Sequence, residues 1–590
     1  MTTPGPAGTS SEQVGSMWID WDVAIAMDDG TELSADVFRP ADAGRFPAIV
    51  SYGPYAKGLA FQEGYGPQWQ KMVSEHPDVA AGSSNRYQSW EVADPEKWVP
   101  HGYACVRVDS RGAGRSPGVV DVWSPREARD FAECIEWAAA QPWCSGKVGV
   151  SGISYYAINQ WHVAGLAPPH LAAMIPWEGF GDFYRDCCRH GGILSEFTAN
   201  WYERQVESVQ YGVGSRSAVN PHTGRHVAGD EDLSAAELAA SRVDVAGELR
   251  RRDLDGPWYR ERSADWSKVT TPFLSAANWG GQGLHPRGNF EGFTQASTEE
   301  KWLEVHGLEH WTHYYTDYGV TLQRQFFDHY LKGEPNGWEQ GPRVRLNVRH
   351  PGERFVLRDE SEWPLARTQW TTVYLDAARR RLGSEPGEPA TLTYDALGDG
   401  VDFSLPAMEE ETELTGPMAA TLYVSSSTAD ADLFLVVRVF DPQGDEVTFQ
   451  GALDPNTPVA QGWLRASHRR LDEERSLPWR PYHTHDLAEP LVPGQVVRLD
   501  VEIWPTSIVV PTGYRVVLSV RGRDYEYQGP LSEFAKTFYY ANRGVGPFTH
   551  NDPVDRPAAV FGGEVTLHTG GEHPSSLLLP VVPPKGPSAS

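Results

Sequence analysis

The sequence predicts an α/β domain built on a mostly parallel sheet, followed by an all-β domain. Three observations carry this. Between residues 20 and 340, short apolar strands alternate with helical patterns, the order expected of a sheet covered by helices. Beyond about residue 343 the helical periodicity stops and strand-like runs such as RVRLNVRH, ADLFLVVRVFD and YRVVLSVRG are separated by Pro/Gly/Asp turns, the pattern of a β-sandwich. The chain has 590 residues, 40% hydrophobic and 11% aromatic, too long for one core and apolar enough for two or three.

Strands are expected at Pro47 to Ser51, Ala104 to Val108, Val148 to Ser151, Ala172 to Ile175, Phe273 to Ala276 and Trp302 to Val305, each ending in Gly, Pro or polar residues. One helix starts at Ser124, with Pro125 at its first position, Glu127 completing a capping box and Phe131, Cys134, Ile135 and Ala138 on one face. Another runs from about Gly319 to Leu331 and stops at Gly333. Residues 185–265 are helical and charge-rich without a clear strand, and read as a helical cap inserted in the sheet domain. The expected plan is a flexible segment at 1–16, the sheet domain at 17–184 and 266–342 with the cap between, a jelly-roll sandwich at 343–580 and a flexible tail at 581–590.

Composition narrows the function. A net charge of −28 opposes binding to nucleic acid and anionic lipid, which runs on clustered Lys and Arg. Five cysteines, odd in number and mostly in apolar runs, read as buried thiols and not a disulfide framework. Residues 1–16 lack a basic start followed by an apolar stretch, and no run of about 18 apolar residues occurs; the expectation is a cytoplasmic protein. Neither a dinucleotide nor a P-loop glycine motif is present in the required setting. His483-Thr-His485-Asp486 reads as a solvated strand face, and Cys187-Cys188 as structural.

The chemistry is concentrated in Lys147-Val-Gly-Val-Ser-Gly-Ile-Ser-Tyr-Tyr, a strand running into Gly152-Ile153-Ser154 and then a helix. A sharp strand-to-helix turn presents a serine hydroxyl at the top of a sheet, as in the α/β-hydrolase fold. Tyr156 stands where the usual G-x-S-x-G form has its second glycine, so on its own the segment is equally a serine-containing turn.

The segment QPWCSGKVGVSGISYYA resembles the nucleophile segment of the cocaine-esterase/NonD hydrolases and their X-Pro dipeptidyl-peptidase relatives; RVDSRGAGRSPG (Arg107 to Gly118) and SYGPYAK (Ser51 to Lys57) resemble their arginine turn and early oxyanion segment. The resemblance extends over most of the chain, including the β domain. It implies Ser154 as nucleophile, and Tyr55 with the backbone N–H of Tyr155 as oxyanion donors. The family's G-P-W-x-H falls on His306-Gly-Leu-Glu-His310, which implies His310 as general base, with His306 in reserve.

The family's acid is missing: its W-x-D pattern meets Asn278-Trp279-Gly280-Gly281, so Gly281 occupies the Asp position. Three accounts stay open: a Ser-His dyad, an acid from another strand end, or an impaired site. Glu178 in IPWEGFGDFYRD is the candidate for the second. Trp161, Trp177, Trp279 and Trp311 suggest an apolar or aromatic substrate group. The expectation is a serine hydrolase cleaving a small ester or amide through an acyl-enzyme, without cofactor or metal; the oligomeric state stays open, with a homodimer as one option. Two alternatives are an X-Pro dipeptidyl-peptidase-like aminopeptidase and a non-catalytic binding protein on the same scaffold.

Overall fold

The computed structural model describes residues 3–4, 9–530 and 543–585. Among them the chain forms two twelve-stranded sheets. The first opens with four antiparallel strands, β1 (Thr3–Pro4), β2 (Ser10–Val14), β3 (Met17–Ala26) and β4 (Glu32–Pro40). The parallel part begins with β5 (Phe46–Gly53), β6 (Ala104–Asp109), β7 (Cys144–Ile153) and β8 (Leu171–Trp177). A separate hairpin, β9 (Arg189–His190) and β10 (Ile193–Leu194), interrupts the chain order. The sheet resumes with parallel β11 (Phe273–Asn278), β12 (Lys301–His306) and β13 (Val344–His350), and ends on antiparallel β14 (Arg354–Glu360).

In space the parallel strands run β6-β5-β7-β8-β11-β12-β13. The chain steps outward from β5 to β6, then returns to β7 on the other side of β5. At such a reversal the loops after neighbouring strands diverge and leave a crevice at their carboxyl ends, where ligands bind in open α/β sheets. The helix Pro125–Ala140 leads into β7 and buries Phe131, Cys134, Ile135 and Ala138. The Ser124 hydroxyl accepts from the Glu127 amide as expected. The Glu127 carboxylate does not close the box: it accepts from the Trp123 amide and the Tyr155 hydroxyl, tying the helix to the segment after β7.

Four expectations change. Ser10–Val14, placed in a flexible segment, pairs with β3 in full register, supported by the Trp21 indole donating to Glu12 at 2.9 Å. Val344–His350, assigned to the β domain, is the parallel neighbour of β12 and carries β14 as its partner, so the first sheet continues past residue 342. Its core residues Val344, Leu346 and Val348 pack with Leu303 and Val305 of β12, which fixes it there. The strand Ser576–Val582 takes the first two residues of the expected tail; residues 586–590, like 1–2 and 5–8, lie outside the described residues. His483 and His485 are buried, not solvated, where Arg185 donates to the carbonyls of His483 and Thr484.

Residues 185–265 hold the β9–β10 hairpin and short helices such as Phe197–Trp201 and Val245–Arg251. The second sheet begins at Gln369–Asp376 and closes on itself, because Ser576–Val582 pairs both with that strand and with Thr412–Ser426. Its interior is mostly aliphatic, with Leu414, Leu422, Leu433, Leu435, Ile503 and Leu518 buried beside Phe403 and Phe449. The two domains meet backbone to backbone: a Cβ on Gly280 would fall 2.4 Å from the Cα of Gly451, and the Ala452 amide donates to the Gly280 carbonyl. All five cysteines are buried and free. Among the described residues no helix is long and apolar enough to cross a membrane.

Candidate active site

Ser154 follows the last residue of β7 and precedes the helix Tyr155–Ala164, with φ 57° and ψ −115°. A non-glycine residue held there is strained, and strain of this kind persists where surrounding contacts fix it. They do: the Ser154 amide donates to the Trp177 carbonyl of β8, and its carbonyl accepts from the Ala157 and Ile158 amides. Gly152 is obligatory, since a Cβ would meet Tyr156 Cβ at 2.4 Å. Tyr156 is tolerated in place of the second glycine because Gly53 makes room for its ring; a Cβ on Gly53 would lie 2.6 Å from Tyr156 Cε1. The small residue has moved from the helix to the neighbouring strand.

The Ser154 hydroxyl is hydrogen-bonded to His285 Nε2 at 3.1 Å. His285 lies in the loop after β11, immediately before the helix Pro286–Gln295. Its other nitrogen, Nδ1, is 3.9 Å from Glu178 Oε2, and both atoms are buried without a hydrogen-bond partner among the described residues. Each is thus the nearest remedy for the other's lost solvation. Glu178, the residue after β8, is fully buried with φ 52°. Its Oε1 is 2.9 Å from His306 Nε2, and His306 Nδ1 is 2.6 Å from Glu304 Oε2. Burial opposes charge on His306, but the carboxylates of Glu304 and Glu178 outweigh it and lift the imidazole to about 9. His285 goes the other way: burial, reinforced by His310, holds it well below the usual imidazole range. A neutral His285 has a lone pair with which to accept a proton from Ser154.

His310, expected on the serine, instead places Nε2 2.9 Å from Glu91 Oε1. Its amide donates to the Ala452 carbonyl of the second domain, which anchors the loop after β12 to that domain. Burial lowers His310 to about 4 and raises Glu91 well above the carboxylate range. His306, the reserve base, is used up between two glutamates. Glu178 lies behind His285, not His310. Sequence reasoning missed His285 and Glu91. The signal for His285 was local: a histidine directly before a Pro that opens a helix, four residues from the gap left by the missing Asp.

Tyr55, two residues past β5, accepts a hydrogen bond from the Trp201 indole at 3.0 Å, leaving its own proton to donate. Tyr155 opens its helix, so its amide has no intrahelical acceptor. Tyr55, Ser154, His285, His310 and Trp311 line one cavity of about 360 Å³, with Trp90 and Trp201 on its walls and Leu453 and Pro547 closing it from the second domain. Of the expected pocket tryptophans only Trp311 reaches it. Trp177 stacks on His306 beneath the site, Trp279 packs on Phe290 and Trp363, and Trp161 packs on Trp266 and Phe273; all three bury their large rings in the sheet's own layers.

A serine on a strained strand-to-helix turn, with a neutral histidine on its hydroxyl at a sheet's topological switch, defines a serine hydrolase of the α/β-hydrolase type. The family model described as X-Pro dipeptidyl-peptidase (S15 family) matches residues 29–315, and that of the X-Pro dipeptidyl-peptidase C-terminal non-catalytic domain matches 336–578. A CocE/NonD family hydrolase of Staphylococcus aureus is 33% identical, with 96% of this chain and 94% of that one covered at a TM-score of 0.82. The cocaine esterase of Rhodococcus sp. is 24% identical over 95% of this chain and 98% of its own. An aminopeptidase of a marine-sediment Thaumarchaeota archaeon, 15% identical, shares the fold at a TM-score of 0.66 over 95% of this chain and 97% of its own. The chain belongs to the CocE/NonD family of hydrolases.

Proposed function

We propose that Ser154, His285 and Glu178 are the nucleophile, general base and orienting acid of this serine hydrolase, acting on a small ester or amide. The observation that carries the reading is the 3.1 Å bond between Ser154 Oγ and His285 Nε2. Ser154 Oγ attacks the substrate carbonyl carbon as His285 Nε2 takes its proton. The developing oxyanion accepts hydrogen bonds from the Tyr155 amide and the Tyr55 hydroxyl. The intermediate expels the alcohol or amine, which leaves with the proton from His285, and an acyl-serine remains. Water then repeats the sequence, giving up a proton to His285 and releasing the acid and Ser154. Glu178 acts through His285: closing the 3.9 Å gap would fix the tautomer with its proton on Nδ1 and stabilise the imidazolium.

The aromatic walls favour an apolar or aromatic acyl or alcohol group. A second reading rests on Glu91, whose buried carboxyl lines the same cavity with Oε2 unpartnered among the described residues: it would suit the free amine of an X-Pro peptide or an α-amino ester. We also read the closed second sheet as a jelly-roll sandwich, and the acidic chain as a cytoplasmic enzyme of small molecules and not of nucleic acid. The test is fluorophosphonate labelling with hydrolysis of p-nitrophenyl butyrate and Ala-Pro-p-nitroanilide, for wild type, Ser154→Ala and His285→Ala. Loss of label and turnover in both variants supports the assignment; preference for the anilide moves the substrate to the second reading. A wild type that neither labels nor turns over would hand the scaffold to binding.

A further inference from the structure

We infer that Glu178, His285 and His310 form a site for a zinc-like divalent cation, and that filling it switches the hydrolase off. The inference rests on the assignment of His285 as base. The three side chains come from the segments that follow β8, β11 and β12, are each at least 95% buried, and bring one ligand atom apiece within 4.8 Å of one another. Two histidines and a carboxylate are the ligand set of many zinc sites, with a fourth position left for water.

Burial alone would make this a packing cluster, but four potential ligand atoms in it have no hydrogen-bond partner among the described residues: Glu178 Oε2, His285 Nδ1 and both nitrogens of His310, whose Nε2 meets Glu91 at 2.9 Å without hydrogen-bond alignment. Buried polar atoms are rarely left so. A tetrahedral zinc site separates its ligand atoms by about 3.4 Å, so the 3.9 Å between His285 Nδ1 and Glu178 Oε2 needs only a small contraction. His285 and His310 both line the cavity, which gives an ion a route from solvent.

The consequence follows from imidazole chemistry. As a base, neutral His285 carries its proton on Nδ1 and a lone pair on Nε2. A cation bound through Nδ1 requires the lone pair there, so the proton moves to Nε2 and no net proton is released. Nε2 then donates to Ser154 and can no longer accept its proton, while Glu178 is diverted to the metal. Ser154 stays in place but is not activated.

The test is zinc titration of chelator-treated full-length protein, with bound zinc counted after desalting by elemental analysis and, in parallel, p-nitrophenyl butyrate turnover. The expected result is one zinc per chain in wild type and in Ser154→Ala, with turnover falling in step with occupancy and restored by chelator. Glu178→Gln and His310→Phe should weaken retention by more than the roughly tenfold cost that even an outer-shell partner carries; circular dichroism and a thermal melt establish that both fold. Wild type that retains no zinc, or variants that retain it equally, would overturn the inference. Because retention is counted directly, the site is tested even if Ser154 proves inactive on this ester, which would count against the proposed function alone.

Discussion

His285 and His310 stand against one cavity, each with a carboxylate beside it, yet their surroundings differ in kind. His285 touches the serine hydroxyl and faces Glu178, which is itself braced by His306 and Glu304. His310 meets Glu91, a carboxyl that burial drives toward its neutral form, and hangs from the second domain through its amide. A base needs a lone pair on the nucleophile and a fixed negative partner behind it. Only the His285 side offers both, so what distinguishes the two histidines is the chain of charge behind them and not their distance along the sequence from a familiar motif.

Ser154→Ala and His285→Ala should each lower kcat by on the order of 10⁵ to 10⁶, the scale seen when members of a catalytic unit are removed singly; p-nitrophenyl ester kinetics on folded protein read this directly. Glu178→Gln keeps the shape but removes the charge, and should lower kcat by up to about 10⁴ with little change in KM. The same variant separates the relocated acid from a Ser-His dyad, because a dyad would lose less than about tenfold.

One step further back, His306→Gln removes the cation between two buried carboxylates and should destabilise the fold by about 3–5 kcal/mol, measured by chemical denaturation. The pH dependence has a definite sign. His306 is raised in the folded protein from its ordinary 6.5 to about 9, so its contribution is fully present below pH 6.5 and is lost as pH rises through about 9. Wild type should therefore lose thermal stability over that window more steeply than His306→Gln. His285 is held low by burial, so the acid limb of kcat/KM should lie well below pH 6.5. On the oxyanion side, Tyr55→Phe should cost about 10²-fold to 10³-fold in kcat while leaving ester binding nearly unchanged.

Much of the frame was legible because it is written locally. The six central strands announce themselves as short apolar runs with turn residues at their ends, and the helix before β7 by Ser124 and Pro125. The Ser154 turn was legible because its demands fall on consecutive residues. The N-terminal strands were missed although buried Met17, Ile19 and Trp21 alternate with half-buried Trp18 and Asp20 over β3, a period-two signal hidden by tryptophans on both faces. Val344–His350 reads as a strand, but nothing within it says which of two sheets it joins.

The site beyond Ser154 was legible only in part because it is assembled across strand ends. Glu178 could be proposed as an edge carboxylate, but its placement behind His285 depends on β8 and β11 being neighbours. The spacing around His306 and His310 fits the family's motif equally well whichever way the loop turns. The His310 amide is held by the Ala452 carbonyl, some 140 residues downstream, a contact that no local motif announces.

The assignment of His285, and not His310, as the base that activates Ser154 is open to direct measurement. The most direct measurement is the rate of fluorophosphonate labelling and of p-nitrophenyl butyrate hydrolysis for His285→Ala beside His310→Ala, both shown to be folded by their thermal melts. With His285 as the base, His285→Ala neither labels nor turns over, while His310→Ala keeps kcat/KM within about tenfold of wild type. The reverse pattern, a silent His310→Ala and an active His285→Ala, would contradict it.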